Sequence, residues 1–181
     1  MGAGMRWADV DLVVATTPAA VHDLSPGERA RLPNGLGRHD WLLGRAALKT
    51  ILGIDDTSSL AFPNRSVSLT HSGGVAVAAR CDGSQAGLGV DLEAWQAIDG
   101  RTARLYLHPH EQGDLLRLWT VKEALFKATP VNDDAVFLDY EVANPDALGG
   151  VARDRHGRTF EYLSHRRPEG WLTLAVCPAV G

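Results

Sequence analysis

Two short runs gather residue types able to do chemistry. In Gly87-Leu-Gly-Val-Asp91-Leu-Glu93 the pattern alternates: Leu88, Val90 and Leu92 point one way, and Gly87, Gly89, Asp91 and Glu93 the other. That is the period of a half-buried strand, and it puts two carboxylates on one face, roughly 7 Å apart at Cα for a rise of about 3.3 Å per residue. Gly89 leaves the same face open, so that something can sit against the backbone there. Some thirty residues later comes Trp119-Thr-Val-Lys-Glu123-Ala-Leu-Phe-Lys127, a run of helix formers. A helix advances about 100° per residue, so Leu118, Val121 and Leu125 form an apolar stripe and Trp119, Glu123 and Lys127 lie together elsewhere. If strand and helix pack at a shared edge, Asp91, Glu93 and Glu123 converge on one hard cation, with Lys127 a turn from Glu123. Magnesium suits such a site, because it takes carboxylate oxygens, waters and substrate phosphates. Taken singly, each run has a plainer reading. A Glu-to-Lys pair four apart is ordinarily solvated and worth about 0.3 to 0.5 kcal/mol, and an Asp-x-Glu is ordinarily a polar outer face.

The elements that must position these residues can be read along the chain. Val10 to Ala15 reads as a strand ended by Thr17-Pro18. Ser25 then caps a helix, with Pro26 at its first position and Glu28 completing a capping box. His39 to Leu52 carries Leu42, Leu48, Ile51 and Leu52 at helical spacing and is closed by Gly53; Arg45 and Lys49 share one side of it. Val67 to Leu69, Val75 to Ala79 and Leu88 to Leu92 read as a three-stranded meander, turning at Ser72-Gly-Gly74 and Asp82-Gly83. Thr70 and His71 sit at the mouth of the first turn, where a histidine can donate to a phosphate. Arg101 to Leu107 and Glu111 to Leu118 look helical and lead into the central helix. Beyond Pro130, strands are expected at Ala135 to Val142, Thr159 to Leu163 and Trp171 to Val176, with turns at Gly149-Gly150, His156-Gly157 and Glu169-Gly170.

Together the motifs resemble the 4'-phosphopantetheinyl transferases, whose pattern is a Gly-Val/Ile-Asp-x-Glu strand followed by a helix reading Trp-Ser/Thr-x-Lys-Glu-Ala-x-x-Lys. Gly89-Val-Asp91-Leu-Glu93 and Trp119-Thr-Val-Lys-Glu123-Ala-Leu-Phe-Lys127 match without a mismatch, and Ser68-Leu-Thr70-His71-Ser72 is similar to the family's Ser/Thr-His-Ser strand. With 181 residues the chain looks like the larger, Sfp-type monomer. The resemblance implies an α+β fold of two similar α/β-meander halves packed as a pseudo-dimer, residues 1–98 carrying the coenzyme-binding strands and the Asp-x-Glu site and 99–181 the Trp-Thr-x-Lys-Glu helix and a second meander. It implies transfer of phosphopantetheine from coenzyme A to a serine of an apo acyl or peptidyl carrier, releasing 3',5'-ADP. Asp91, Glu93 and Glu123 would hold magnesium, with Asp91, Glu123 and Lys127 catalytic. Coenzyme A would be held by Arg31, Arg45, Thr70, His71, Ser72 and Lys127. Two features depart from the family. Glu28 stands where a cation is expected, and Leu60-Ala-Phe62-Pro63-Asn64-Arg65 replaces a Gly-Lys-Pro segment that helps to hold adenine. Phe62 is then available to stack on a base and Arg65 to meet a phosphate.

Composition narrows the classes. A 181-residue chain with 45 % hydrophobic content can bury a sizeable core. A net charge of −4 argues against wholesale nucleic-acid binding. Cys81 and Cys177, far apart and without metal-ligand spacing, suggest a reducing compartment. The stretch from Met1 to Ala15 holds Asp9 and Asp11 and no long apolar core, so no signal peptide is expected, and no run reaches the length of a membrane span. A cytoplasmic protein is the expectation. Gly87-x-Gly89 lacks the third glycine of a dinucleotide fingerprint, and neither a phosphate-binding loop nor a Gly-x-Ser-x-Gly elbow is present. His108-Pro-His110 lacks a third ligand and marks a break between helices. Arg101, Arg104, Arg117 and Lys122 are candidate basic contacts to an acidic partner helix, against a solvated face as the default. Two other functions fit the same residues: a non-catalytic module binding coenzyme A or a carrier, and a magnesium-dependent phosphohydrolase.

Overall fold

In the computed structural model, which describes residues 9–83 and 85–179, two antiparallel sheets lie face to face with one long helix on the outside of each. The first sheet is ordered β1-β3-β2, from β1 (Val10–Ala15), β2 (Val67–Ser72) and β3 (Val75–Cys81). The second is ordered β4-β8-β7-β6-β5, from β4 (Gly87–Ala94), β5 (Glu141–Val142), β6 (Gly149–Arg153), β7 (Thr159–Arg166) and β8 (Gly170–Cys177). The helices are α1 (Pro26–Ala30), α2 (Arg38–Leu52), α3 (Gly100–Ala103) and α4 (Leu115–Ala128). This is an α+β arrangement, and no described helix is long and apolar enough to cross a membrane. Residues 1–8, on which the reading of the N-terminus partly rests, lie outside the described residues.

Local chemistry explains the elements. Ser25 Oγ accepts from Glu28 N–H at 3.1 Å and Glu28 Oε2 from Ser25 N–H at 2.9 Å, the expected capping box of α1. Gly53, at φ 63°, closes α2 in the left-handed conformation. Gly73 and Gly74 both take positive φ, the twist that a two-residue hairpin loop between β2 and β3 demands. The sheets share a core of Val75, Val77, Ala79 and Cys81 against Leu88, Val90, Leu92, Leu172, Leu174 and Val176. α2 covers the other face of the first sheet through Leu43, Ala47, Leu48 and Ile51. α4 covers the second through Val121, Ala124, Leu125 and Ala128.

Several sequence expectations need correction. β4 does not continue a meander from β3; it pairs with β8 and forms the edge of the sheet that the second half of the chain otherwise builds. Nor is it half-buried, since Gly87 to Leu92 are buried throughout, between the first sheet on one side and α4 on the other. The central helix starts at Leu115 rather than Glu111, because Asp114 caps it by accepting from Arg117 N–H at 3.0 Å. Glu111 is instead buried, its carboxylate accepting from Lys122 Nζ at 2.8 Å, Val142 N–H at 2.7 Å and His108 N–H at 2.8 Å. Lys122 and Arg117 are therefore not surface contacts for a partner: both are buried, and Arg117 donates to the carbonyls of Pro145 and Ala147. Of the strand expected from Ala135 to Val142 only Glu141–Val142 forms; Phe137–Asp139 is a 3-10 turn, held where the Phe137 ring meets Trp119 and Phe126 edge-on. Gly149 and Gly150 begin β6 instead of turning the chain, Gly150 lying against the Tyr162 ring on β7.

Candidate active site

The site begins at the seam between the sheets, where β2 and β4 run side by side without main-chain pairing. One edge of β4 is used by β8, which leaves alternate N–H groups of the other edge in need of acceptors. The hydroxyls of β2 supply them: Val90 N–H donates to Ser68 Oγ at 2.9 Å, Leu92 N–H to Thr70 Oγ1 at 3.1 Å and Ala94 N–H to Ser72 Oγ at 3.0 Å. Two of these hydroxyls in turn donate a hydrogen bond to a carboxylate. Thr70 Oγ1 donates to Asp91 Oδ1 at 3.1 Å and Ser72 Oγ to Glu93 Oε2 at 3.2 Å. The alternating hydroxyls of Ser68-Leu-Thr70-His71-Ser72 thus join the sheets and orient both acidic side chains.

Helix α4 reaches the same carboxylates because β4 carries glycine beneath it. A Cβ at Gly89 would lie 1.9 Å from the Ala124 carbonyl oxygen, and one at Gly87 2.0 Å from that of Ala128. The face expected to be open at Gly89 is filled by the helix backbone itself. This approach lets Lys127 Nζ donate to Asp91 Oδ1 at 2.7 Å and to the Val90 carbonyl at 3.3 Å, while standing 4.0 Å from Glu123 Oε2. From the preceding turns, Trp119 Nε1–H donates to Glu93 Oε1 at 3.1 Å.

Asp91, Glu93, Glu123, Lys127, Arg45, Thr70 and His71 line one cavity of about 610 Å³. Burial, reinforced by the charge of Asp91 and then Glu93 against an opposing Lys127, pushes the Glu123 carboxyl up to about 6. Asp91 is 3 % exposed, and its Oδ2 is buried with no hydrogen-bond partner. A buried carboxylate oxygen without a donor is costly unless a cation or proton meets it, so the donor set suits a hard cation such as magnesium. Among the described residues, however, no group of three His, Cys, Asp or Glu side chains is gathered as a metal cluster. The carboxylates share a cavity without being drawn together.

The remaining expected residues fall at varying distances from this centre. Arg45 Nη1 donates to Thr57 Oγ1 at 2.9 Å, and its guanidinium lies 4.9 Å from the Trp41 ring centre. Burial lowers its pKa, with Glu28 opposing the shift and Arg31 adding to it. His71 is exposed, with Nδ1 4.0 Å from Asp40 Oδ2. Ser72 acts through Glu93 and is not among the cavity-lining residues, and Arg31 is exposed at the end of α1, also outside the lining. Glu28, found where the family has a cation, is fully buried as a structural hub. It accepts from Ser25, from Thr57 N–H and Oγ1 at 3.1 and 2.7 Å, and from Lys49 Nζ at 2.9 Å. Burial alone would raise its pKa, but these donors outweigh it and hold the carboxyl at about 2. Phe62 stands at the cavity, 45 % exposed, whereas Arg65 does not line it.

Sequence reasoning missed Ser68, Phe126 and Asn132 as lining residues. Ser68 and Phe126 lay inside quoted motifs with no role given. Asn132 Nδ2 donates to the Phe126 carbonyl at 3.2 Å beyond the helix end, and nothing in its sequence context marks it. Neither a scan against protein-family models nor a search of curated proteins returns a match.

Proposed function

We propose that the protein is a magnesium-dependent 4'-phosphopantetheinyl transferase that acts as a cytoplasmic monomer, moving phosphopantetheine from coenzyme A to a serine of an apo acyl or peptidyl carrier. One observation carries the reading: three runs far apart in sequence, at Thr70-His71, Asp91-Leu-Glu93 and Glu123 to Lys127, line a single cavity together with Arg45. The arrangement of a long helix on an antiparallel sheet, occurring once with α2 and again with α4, supports two similar halves packed as a pseudo-dimer.

In this reading the carrier serine oxygen attacks the coenzyme phosphorus nearer pantetheine. A new P–O bond forms, the bond from that phosphorus to the bridging oxygen breaks, and 3',5'-ADP leaves. The serine proton passes to Glu123, whose carboxyl at about 6 is a stronger base than an ordinary one yet still mostly ionised near neutral pH. Asp91 and Glu123, with Glu93 beside them, are the residues to hold magnesium, which when bound neutralises the diphosphate. Lys127, fixed in direction by Asp91, stabilises charge on the departing phosphate; at 4 Å and an effective dielectric of 20 a pair of unit charges interacts by about 4 kcal/mol. Arg45 and His71 hold the coenzyme's other phosphates, whereas Thr70, expected among them, spends its one hydroxyl proton on Asp91 and orients that carboxylate instead; Arg31 adds positive field, and Phe62 offers a ring to the base.

The test is release of 3',5'-ADP from coenzyme A with and without an apo carrier. Release that needs magnesium and the carrier serine, and that Glu123→Gln abolishes, is the expected result. Release without carrier means a phosphohydrolase. Coenzyme A binding with no release means a binding module.

A further inference from the structure

The three β2 hydroxyls in the seam follow one rule, with one exception. Each accepts a main-chain N–H of β4: Ser68 from Val90, Thr70 from Leu92 and Ser72 from Ala94. Thr70 and Ser72 then donate to the side chain of the residue before, Asp91 and Glu93. For Ser68 the residue before is Gly89, which has no side chain to accept. A serine hydroxyl has one proton to donate, and among the described residues that of Ser68 has no acceptor. Ser68 is 3 % exposed and lines the cavity. A buried donor left unmet is costly, so the place calls for an acceptor. Its neighbour sets the charge of that acceptor. In a strand the N–H and C=O of one residue point to the same edge, and while the Val90 N–H meets Ser68, the Val90 carbonyl accepts from Lys127 Nζ at 3.3 Å. The Ser68 hydroxyl and the Lys127 ammonium are therefore held at one place along the seam by the main chain of β4. A hydroxyl proton beside an ammonium suits an anionic acceptor with several oxygens, as a phosphate has. We infer that Ser68 is a further binding residue for coenzyme A, its hydroxyl donating to an oxygen of the diphosphate that Lys127 faces; this rests on the coenzyme A reading above. The bond from Val90 fixes the hydroxyl oxygen, so the donor is in place before the coenzyme arrives.

The direct test is the crystal structure of the magnesium and coenzyme A complex. Ser68 Oγ is expected within about 2.5 to 3.0 Å of a diphosphate oxygen, with the Val90 N–H still bonded to it. Coenzyme A in the cavity with Ser68 Oγ more than about 3.5 Å from every phosphate oxygen overturns the inference and leaves the coenzyme A reading intact. Calorimetric titration separates this role from that of a joint between the sheets. Ser68→Ala is expected to weaken coenzyme A binding about ten- to a hundredfold, the loss of one hydrogen bond to a charged group. Adenosine 3'-phosphate, which lacks the diphosphate, is expected to bind this variant and the unsubstituted protein alike. Equal losses for the two ligands mean that Ser68 only joins the sheets, which overturns the inference. Ser68→Thr keeps both the acceptor and the donor and is expected to restore the affinity for coenzyme A. No coenzyme A binding by the unsubstituted protein overturns the coenzyme A reading itself, and the Ser68 contact with it.

Discussion

Replacing Gly89 by alanine adds one methyl group at the point where β4 and α4 touch backbone to backbone. The new carbon would lie 1.9 Å from the Ala124 carbonyl oxygen, 2.8 Å from Ala128 N and 2.9 Å from the Ala124 carbonyl carbon. All three atoms belong to the helix backbone, so no rotamer change relieves the overlap. The helix must retreat by roughly 1 to 1.5 Å to restore ordinary contact, which also loosens its packing on Tyr162, Phe160 and Val142 of the same sheet. Overpacking of this kind costs about 1 to 3 kcal/mol, and Gly89→Ala belongs at the upper end. For a chain of this length that lowers Tm by roughly 6 to 12 °C. The same retreat lengthens the 2.7 Å contact between Lys127 and Asp91, and a misplacement near 1 Å can cost about a hundredfold in rate. Differential scanning calorimetry gives the first quantity, and carrier-loading rates well below Tm give the second. Gly100→Ala, whose added methyl meets nothing within 4 Å, is the matched control and is expected to melt like the unsubstituted protein. If Gly89→Ala matches that control in both assays, α4 does not lie directly on β4 and the geometry of the site falls.

Three further outcomes follow from the electrostatics. Glu28 is held at about 2, below its unfolded value of 4.5, so its stabilisation is present above pH 4.5 and is lost as pH falls toward 2. The urea midpoint should therefore drop on acidification, with roughly 2 to 3 kcal/mol of the loss missing from Glu28→Gln; parallel profiles would contradict the hub role. Lys122→Met leaves Glu111 buried without its ammonium, and chemical denaturation should show a loss of about 3 to 5 kcal/mol; a loss below about 1 kcal/mol would mean the pair is not buried as described. Glu123, raised to about 6, favours folding below pH 4.5, and that contribution is lost as pH rises through 6 because the ionised form is the disfavoured one. A cation reverses this by meeting the ionised carboxylate, so magnesium should raise Tm more at pH 7 than at pH 5, and an equal shift at both would remove Glu123 from the residues that hold magnesium.

Local signals were legible. The Ser25 capping box, the Gly73-Gly74 hairpin and Gly53 at the end of α2 all formed from a few neighbouring residues, and such features depend little on the rest of the chain. What pairs with β4 was not legible. Its alternation suggested an exposed acidic face, but Gly87 and Gly89 carry no side chain to betray a helix packed on them. Lys122 and Arg117 carry the charge of surface residues, yet their spacing puts them with the core: Lys122 lies four residues after Leu118 and three before Leu125. The partner Glu111 comes from a non-helical segment eleven residues away, and no periodicity points to it. The three motifs around the cavity were recognisable in type and order, whereas the Ser68-Thr70-Ser72 ladder that joins them needed the register of two sheets.

The central claim is transfer to a carrier serine, and intact mass of the carrier tests it most directly. Purified protein, coenzyme A and magnesium are incubated with a panel of apo acyl and peptidyl carrier domains. A gain equal to one phosphopantetheine group, lost with chelator and absent when the carrier serine is alanine, is the predicted result. No gain on any carrier while coenzyme A remains bound would contradict the transferase reading.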